Sequence, residues 1–411
     1  MHEGYRLRKD TRLVELLSPV NSDLTSVKLS ASTIDIIENN LSAKLCQYFQ
    51  DIRLPKSGNE VSFHTSDIKD AIRLSHRSQR KAKYERSAEF VKRTLPRLLP
   101  YFASGQEVVP ERLSPRIHLV VSGSKEADLF RLATLTWSIP VSEGFGRRMR
   151  FIVWDDANGK LIGIIALGDP VFNLKVRDGF VGWTAADRKE RLVHVMDAYV
   201  LGAVPPYNML LGGKLVACLV RTREIRDHFR VRYNKNTGII SGKRKSPELV
   251  MVTTSSALGR SSIYNRLHLN GIKYFKSVGY TVGYGHFHIS NQLFEEMREY
   301  LKLRGHKYYG GNRYGNGPNW KFRVIRATLD LLGIERDLLC HGIKREVFVC
   351  QLASNAERIL RGEEDKPSYD HFLSATEVSE LVLDRWICPR ARSKPNFVDW
   401  QRDHLTKLFP A

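Results

Sequence analysis

Gly212-Gly213-Lys214 is the stretch of this chain whose residue types point most directly to a ligand. It follows an apolar run, Tyr199 to Val204, that Pro205-Pro206 ends, because proline cannot continue a strand ladder. Leu215, Val216, Leu219 and Val220 then recur at helical spacing. A glycine turn that opens a helix presents free N–H groups, and phosphate is their natural guest. The structural reading of the same residues is a tight turn with φ > 0 at one glycine. The GxxxxGK[ST] spacing of a Walker-type loop is absent.

A second candidate lies in GYTVGYGHFHI. Strand alternation puts Tyr280, Val282, Tyr284, His286 and His288 on one face. Two imidazoles two residues apart can share a proton-transfer task, so His286, His288 and Tyr284 are the catalytic candidates. No third ligand stands at a motif spacing, and no metal site is expected. Gly283 and Gly285 fall on the opposite face, where a backbone or a ligand can approach closely. If both elements end on one side of a sheet, Gly212, Gly213 and Lys214 share a cleft with His286 and His288. The run TSSALGRSSIYNRL is dense in hydroxyls but lacks a GxSxG elbow. Its serines read as caps and turn formers. Arg260 and Tyr264 in it are candidates for phosphate or base contacts.

These residues need elements to position them. The alternation predicts a strand over 117–121 and a helix over 126–137. RFIVWDDANGKLIGIIALGDP reads as a hairpin around Asn158-Gly159, with Asp155 and Asp156 as turn formers. A helix capped by Thr184 follows, then the strand and glycine turn above. Further on come a helix capped by Ser290 or Asn291, a Gly/Asn/Tyr-rich loop from His306 to Trp320, a helix over 323–332 and a strand over 346–352. The fold class is therefore α/β (α+β) with a mixed central sheet and a mainly helical, basic N-terminal arm. Three regions are expected: 1–112, helical and basic; 113–362, a mixed α/β core; 363–411, a helical tail. A Pro-bearing link, Val108 to Pro115, would separate the first two. The element order resembles the acyl-CoA-dependent N-acyltransferase (GNAT-like) fold, where a central strand end and the following helix hold a pyrophosphate. That likeness would make acyl-CoA a candidate cofactor. LLGGKL does not match the Arg/Gln-x-x-Gly-x-Gly/Ala motif of those enzymes.

Charge narrows the partners. The 411 residues carry 65 Lys and Arg against 44 Asp and Glu, a formal charge of +21. So basic a chain suits nucleic acid. Lys69 to Arg97 holds Arg77, Arg80, Lys81 and Lys83 with few acidic residues in reach, the pattern of a helix that binds a phosphate backbone. Arg221 to Lys245 is a second block, with Arg226, Arg230, Arg232, Lys243 and Arg244 interleaved with Phe229 and Tyr233, which suits charge and stacking together. The bland reading of both blocks is a solvated face, or one that meets an acidic protein. Five scattered cysteines exclude a disulfide framework and any CxxC zinc site. No apolar run reaches membrane-spanning length and no signal peptide opens the chain, so a soluble, cytoplasmic protein is expected, with no membrane partner.

The blocks PPYNMLLGGKLVACL, TTSSALGRSSIYNRL, SVGYTVGYGHFHI, NRYGNGPNWKFRVIRATLDLLG and HGIKREVFVCQLASN resemble the DruA family of the Druantia anti-phage defence system. The resemblance implies a role in prokaryotic antiviral defence. It also implies a large helicase-like partner and several small companion proteins. It assigns no catalytic residues. Three activities stay open: a DNA-binding component, an enzyme that modifies nucleic acid (acyltransferase-like or a nuclease), and a scaffold for the other defence components.

Overall fold

The computed structural model describes residues 31–52, 65–142, 146–234, 246–286, 289–310, 318–370 and 372–409. Among these, a mixed seven-stranded sheet organises the chain. Its first half is antiparallel: β1 (Pro115–Leu119), β2 (Arg148–Asp155), β3 (Lys160–Gly168) and β4 (Val195–Ala203). β4 then pairs in parallel with β5 (Met251–Ser255). A two-residue hairpin, β6 (His268–Leu269) with β7 (Ile272–Lys273), stands outside the main sheet. β8 (Lys276–Tyr280) and β9 (Glu346–Gln351) complete the order β1-β2-β3-β4-β5-β9-β8.

Alternation along the central strands buries both faces. Phe151, Val153, Ile162 and Ile165 enter one cluster, while Ile152, Trp154, Leu161 and Ile164 enter another. The expected hairpin forms where Asn158-Gly159 stands, and Gly159 takes φ 69. Its tip does more than turn. Asp155 Oδ1 accepts from Ser114 N at 3.0 Å, and Tyr207 Oη donates to Asp155 Oδ2 at 3.0 Å. The hairpin is thereby tied to β1 and to the segment after β4.

The helices cover the faces in chain order. The N-terminal part contains α1 (Ala31–Ile52), α2 (Thr65–Ser75), α3 (Arg77–Glu85) and α4 (Ala88–Leu98). The basic segment is therefore broken into short helices, not one continuous helix. α5 (Lys125–Thr134) follows β1, and α6 (Lys175–Val181) and α7 (Ala185–Arg191) precede β4. Thr184 caps α7 in a capping box. α8 (Gly212–Leu219) and α9 (Arg223–Tyr233) lie between β4 and β5; α10 (Asn291–Leu303) and α11 (Pro318–Leu331) lie between β8 and β9. α12 (Ala356–Arg361), α13 (Ala375–Val382), a π-helical turn (Leu383–Ile387) and α14 (Cys388–Ser393) end the chain's main elements. None of the described helices is long and apolar enough to cross a membrane.

Two expectations change here. The stretch 281–286 is not a continuation of β8: the strand ends at Tyr280, Gly279 and Gly283 take φ 125 and 73, and one isolated bridge joins Tyr284 to Cys340. The alternation of Tyr280, Val282, Tyr284 and His286 therefore does not define a single strand face. Gly283 does meet a close backbone, for a Cβ there would lie 3.1 Å from the Gly342 carbonyl carbon. The Val108–Pro115 link is packed, not open. Val108 and Leu113 are buried, and Gly105 N donates to Trp400 O at 2.7 Å. The hydrophobic clusters run across both 112/113 and 362/363, joining Leu98 to Ile152 and Leu113 to Phe372 and Val378.

Asp197 is the unusual residue of β4. Burial pushes its carboxyl up to about 6, against a hydrogen bond from Thr253 Oγ1 at 2.6 Å and the charge of Arg177, which pull it down. A carboxyl raised on folding binds its proton more tightly in the native state. Its stabilising share is present below the unfolded value near pH 4 and is lost as pH rises through 6. Asp197→Asn keeps the acceptor for Thr253 and removes the titration. Urea melts should show the variant gaining on the wild type between about pH 4 and 7, by on the order of 1–2 kcal/mol, with the gain flat above that. A constant difference across this range would refute the assignment.

Candidate functional site

β4 and β5 pair over only Val195↔Met251, Met196↔Val252 and Asp197↔Thr253. β4 continues to Ala203, and the two strands part beyond the third pair. The ladder is replaced by one side-chain bond, from Thr254 Oγ1 to Ala198 O at 2.8 Å. Open sheets receive ligands where adjacent strands lead their connections apart, beyond the carboxyl ends. The connections here are the turn into α8 and the loop after β5.

The α8 turn differs from the expected glycine turn. Leu211, not a glycine, takes the left-handed conformation, with φ 62. Gly212 N donates to Tyr207 O at 2.8 Å, and Lys214 N to Leu211 O at 2.8 Å, so two of the three amides serve the turn itself. Gly212 is needed for packing: a Cβ there would lie 2.6 Å from Tyr207 O. Gly213 is not so confined, and its nearest neighbour would be Ile263 Cδ1 at 3.5 Å. Lys214 extends over the Trp386 ring, with Nζ 4.5 Å from its centroid. Burial, and the like charges of Arg266 and Arg385, push the Lys214 ammonium below its ordinary value. Lys214 of α8 and Arg385 of the C-terminal π-turn thus both lie against Trp386, and Arg266 of the loop after β5 adds its charge to theirs. None has a carboxylate partner among the described residues.

The loop after β5 is held from inside. Glu346, 4% exposed, accepts from Ser261 N at 3.1 Å, from Asn265 Nδ2 at 3.1 Å and from Ser277 Oγ at 2.9 Å. Ser261 Oγ in turn accepts from the amides of Ile263 and Tyr264. Ser261 is a turn former, as its sequence context suggests. Tyr264 packs between Phe275 and Phe348, at centroid distances of 5.0 and 5.2 Å, and burial pushes its phenol up to about 12. It holds its proton at neutral pH. Arg260 is exposed on this loop. α2 packs beside it, with Ile72 Cδ1 3.7 Å from where a Cβ of Gly259 would stand.

The basic helices divide into engaged and open residues. Arg80 donates to Tyr84 Oη at 2.9 Å and to Leu408 O, and Lys83 donates to Val141 O at 2.7 Å; both are used in packing. Arg77 and Lys81 are exposed, Lys81 lying 3.9 Å from Glu85. On α9, Arg226 is paired with Asp227 at 2.7 Å and lies over Tyr369, while Arg230 and Arg232 are exposed. Lys243, Arg244 and His288 lie outside the described residues. His286 and Tyr284 stand elsewhere in the fold, against Phe322 of α11. None of these contacts links them to Lys214, which lies over Trp386. The alternation argument failed because Gly283 breaks the strand that it assumed.

Arg266, Arg385, Trp386, Asp197 and Glu346 escaped the sequence reading. One signal was available: an aspartate at position 197 interrupts an apolar strand, whereas Glu346 opens its strand after Lys344-Arg345 and has no such mark. Two glycine substitutions separate structure from binding at the turn. Gly212→Ala should cost about 1–3 kcal/mol through the clash with Tyr207 O. Gly213→Ala should leave stability within about 1 kcal/mol of the wild type. Chemical denaturation of both variants checks the pair; equal losses would mean that Gly213 is also a packing glycine.

Residues 66–362 match the family described as Druantia protein DruA. The chain is also similar to the Druantia protein DruA of Escherichia coli (strain UMEA 4076-1), with 48% identity over 372 residues, covering 90% of this chain and 92% of that one. No solved structure matches. The match takes in the sheet and both sides of the β4–β5 mouth as far as α12. With that extent and that identity, the chain belongs to the DruA family of the Druantia defence system.

Proposed function

We propose that this chain is the DNA-contacting component of the Druantia system, acting with a large helicase-like partner and binding DNA mainly through its phosphates. The observation that carries this reading is the uncompensated charge at the β4–β5 mouth. Lys214 and Arg385 lie against one ring, Trp386, the charge of Arg266 reaches Lys214, Arg260 is exposed on the loop that carries Arg266, and Arg77 is exposed at the start of α3. Like charges held close cost free energy unless an anion spends time among them. A polyphosphate strand supplies that anion and releases its counterions on binding. Sequence preference should be weak, because nothing at the mouth has the form of a base-reading helix.

One observation favours a second reading. A hairpin, then a central strand whose end leads into a helix, is the element order on which the acyltransferase likeness rests. It supports acyl-CoA as a ligand of the same mouth. Against it, Gly212 N and Lys214 N are already bonded within the turn. An acyl-CoA titration distinguishes the two readings, since saturable binding that excludes DNA would favour the enzyme.

Binding to unrelated duplex and single-stranded oligonucleotides should weaken by orders of magnitude from about 50 to 200 mM salt. Reversing Lys214, Arg266 and Arg385 to Glu should weaken all sequences alike. It should also reduce the slope of log affinity against log salt by roughly 2–3 on duplex. Arg80 and Lys83 are the wrong residues for this test, because their substitution breaks packing. No binding at low salt, or binding indifferent to salt, would assign the charge to an acidic protein partner.

A further inference from the structure

The segment between β8 and β9 builds a core of its own. α10 and α11 pack with α1 through Leu41, Leu45, Phe294, Met297, Trp320 and Val324. Outside that core, the surface of α11 and the turn at 306–308 border an open groove of about 510 Å³. Its walls carry Lys307, Tyr308, Arg323, Arg326, Asp330 and Arg336. Arg323, Arg326 and Asp330 stand at i, i+3 and i+7, one helical face. Asp330 is the carboxylate of the groove, and it is taken: Arg336 Nε donates to it at 2.8 Å and holds it below its ordinary range. Lys307 and Arg323 form no ion pair among the described residues, and Arg326, whose charge also acts on Asp330, stands within ion-pair distance of no carboxylate there.

One ring, Tyr308, lines the groove, and two more, Phe322 and Tyr284, lie outside that lining against Arg326. Lys307 Nζ lies 5.3 Å and Arg323 Cζ 6.0 Å from the Tyr308 centroid. Arg326 Cζ lies 5.4 Å from the Phe322 centroid and 5.6 Å from that of Tyr284, whose hydroxyl accepts from its Nε at 3.3 Å. Planar guanidiniums against aromatic faces are surfaces on which a nucleobase stacks, and the free N–H groups at their edges suit a phosphate. The volume falls within the range of pockets that hold one small ligand, about 300–1,000 Å³. A stacked duplex keeps its bases inside and meets a protein with its phosphates and groove edges, so its bases have no use for the Tyr308 ring.

We propose that this groove binds a nucleotide of a single-stranded nucleic acid, with its base on the Tyr308 and guanidinium surfaces and its phosphate between Lys307, Arg323 and Arg326. The site is separate from the β4–β5 mouth, and the inference rests on the nucleic-acid reading above. It makes this chain a reader of exposed single strand, with the mouth holding backbone of either form.

The test uses the full chain with labelled dT and rU oligonucleotides of about 12 nucleotides and a duplex of equal length. Arg323→Ala with Arg326→Ala, and Tyr308→Leu alone, should each weaken single-strand binding roughly tenfold or more while duplex affinity stays within about threefold. Tyr308→Phe keeps the ring and should bind as the wild type does. A 2-aminopurine base in the strand should be quenched by the wild type and not by Tyr308→Leu. The dT and rU arms report whether the strand is DNA or RNA. If the wild type binds DNA but the groove variants lower single-strand and duplex affinity equally, or not at all, the groove inference falls and the mouth reading stands. If the wild type binds neither form at low salt, both fall. Arg323 and Arg326 are exposed and Tyr308 is half-buried, and melting temperatures of the variants check that the fold is intact.

Discussion

Three residue pairs hold the two halves of the sheet together. On one side of Val195↔Met251, Met196↔Val252 and Asp197↔Thr253 lies the antiparallel meander of β1 to β4; on the other lie β5, β9 and β8. Parallel ladders are slightly weaker per residue than antiparallel ones, and this one is short. Backbone groups beyond it still need partners, because unpaired buried N–H and C=O groups are costly. Thr254 meets part of that need through its hydroxyl to Ala198 O. The last pair also carries Asp197, a carboxyl whose desolvation opposes folding at neutral pH. A seam this short cannot be the main source of cohesion. It is instead the place where a ligand can come between strands without breaking a long ladder.

Cohesion comes from segments that cross the seam. The C-terminal part packs on both halves: Phe372 and Val378 share a cluster with Phe151 and Phe348, and Leu405 joins the cluster of Ile152. Polar contacts follow the same route. Ala375 N donates to the Glu224 carboxylate at 2.9 Å, so α13 is docked on α9 by its own N-terminus. Arg390 Nε donates to Met209 O at 3.1 Å, fixing the end of the chain to the turn that opens α8. Arg385 and Trp386 reach Lys214 because these contacts put them there. Glu346 does the corresponding work for the loop after β5. One buried carboxylate gathers an amide, a carboxamide and a hydroxyl from three places and so sets where Arg260 and Arg266 stand.

What the sequence made legible was local. Asn158-Gly159 needed only its own turn geometry, Thr184 and Ser290 only the amides two or three residues on, and the structure realises each of them. The mixed sheet followed from hairpin, helix and strand patterns in order. The misreadings come from long-range partners. Leu211 bears the left-handed conformation that glycine was expected to take, since Gly212 is required instead for its approach to Tyr207 O. Tyr84 and Phe90 bury their rings, so the basic segment folds as short helices facing inward, with Arg80 and Lys83 drawn into backbone contacts. Arg266 and Arg385 are 119 residues apart in sequence (385 minus 266), and no spacing rule links them. Their meeting depends on the tail's docking, which periodicity cannot reveal.

Electrostatics then separates the two basic regions by the anion that each suits. At the mouth, Lys214 is partly desolvated and faces two guanidiniums, and both effects favour its neutral form. An incoming phosphate reverses the second effect and offsets the first, so binding and protonation reinforce each other there. A site of this kind, as proposed, would discriminate charge, and any phosphodiester backbone would satisfy it. At the α11 groove the cations lie against rings, and Asp330 with Arg336 forms a closed pair that takes no further anion. A bare polyanion would leave those ring and guanidinium faces unused. A strand with unstacked bases uses both the charge and the faces. On the proposed reading, duplex and single strand would differ little for the mouth and greatly for the groove, and a chain carrying both sites would distinguish opened DNA from closed DNA without reading its sequence.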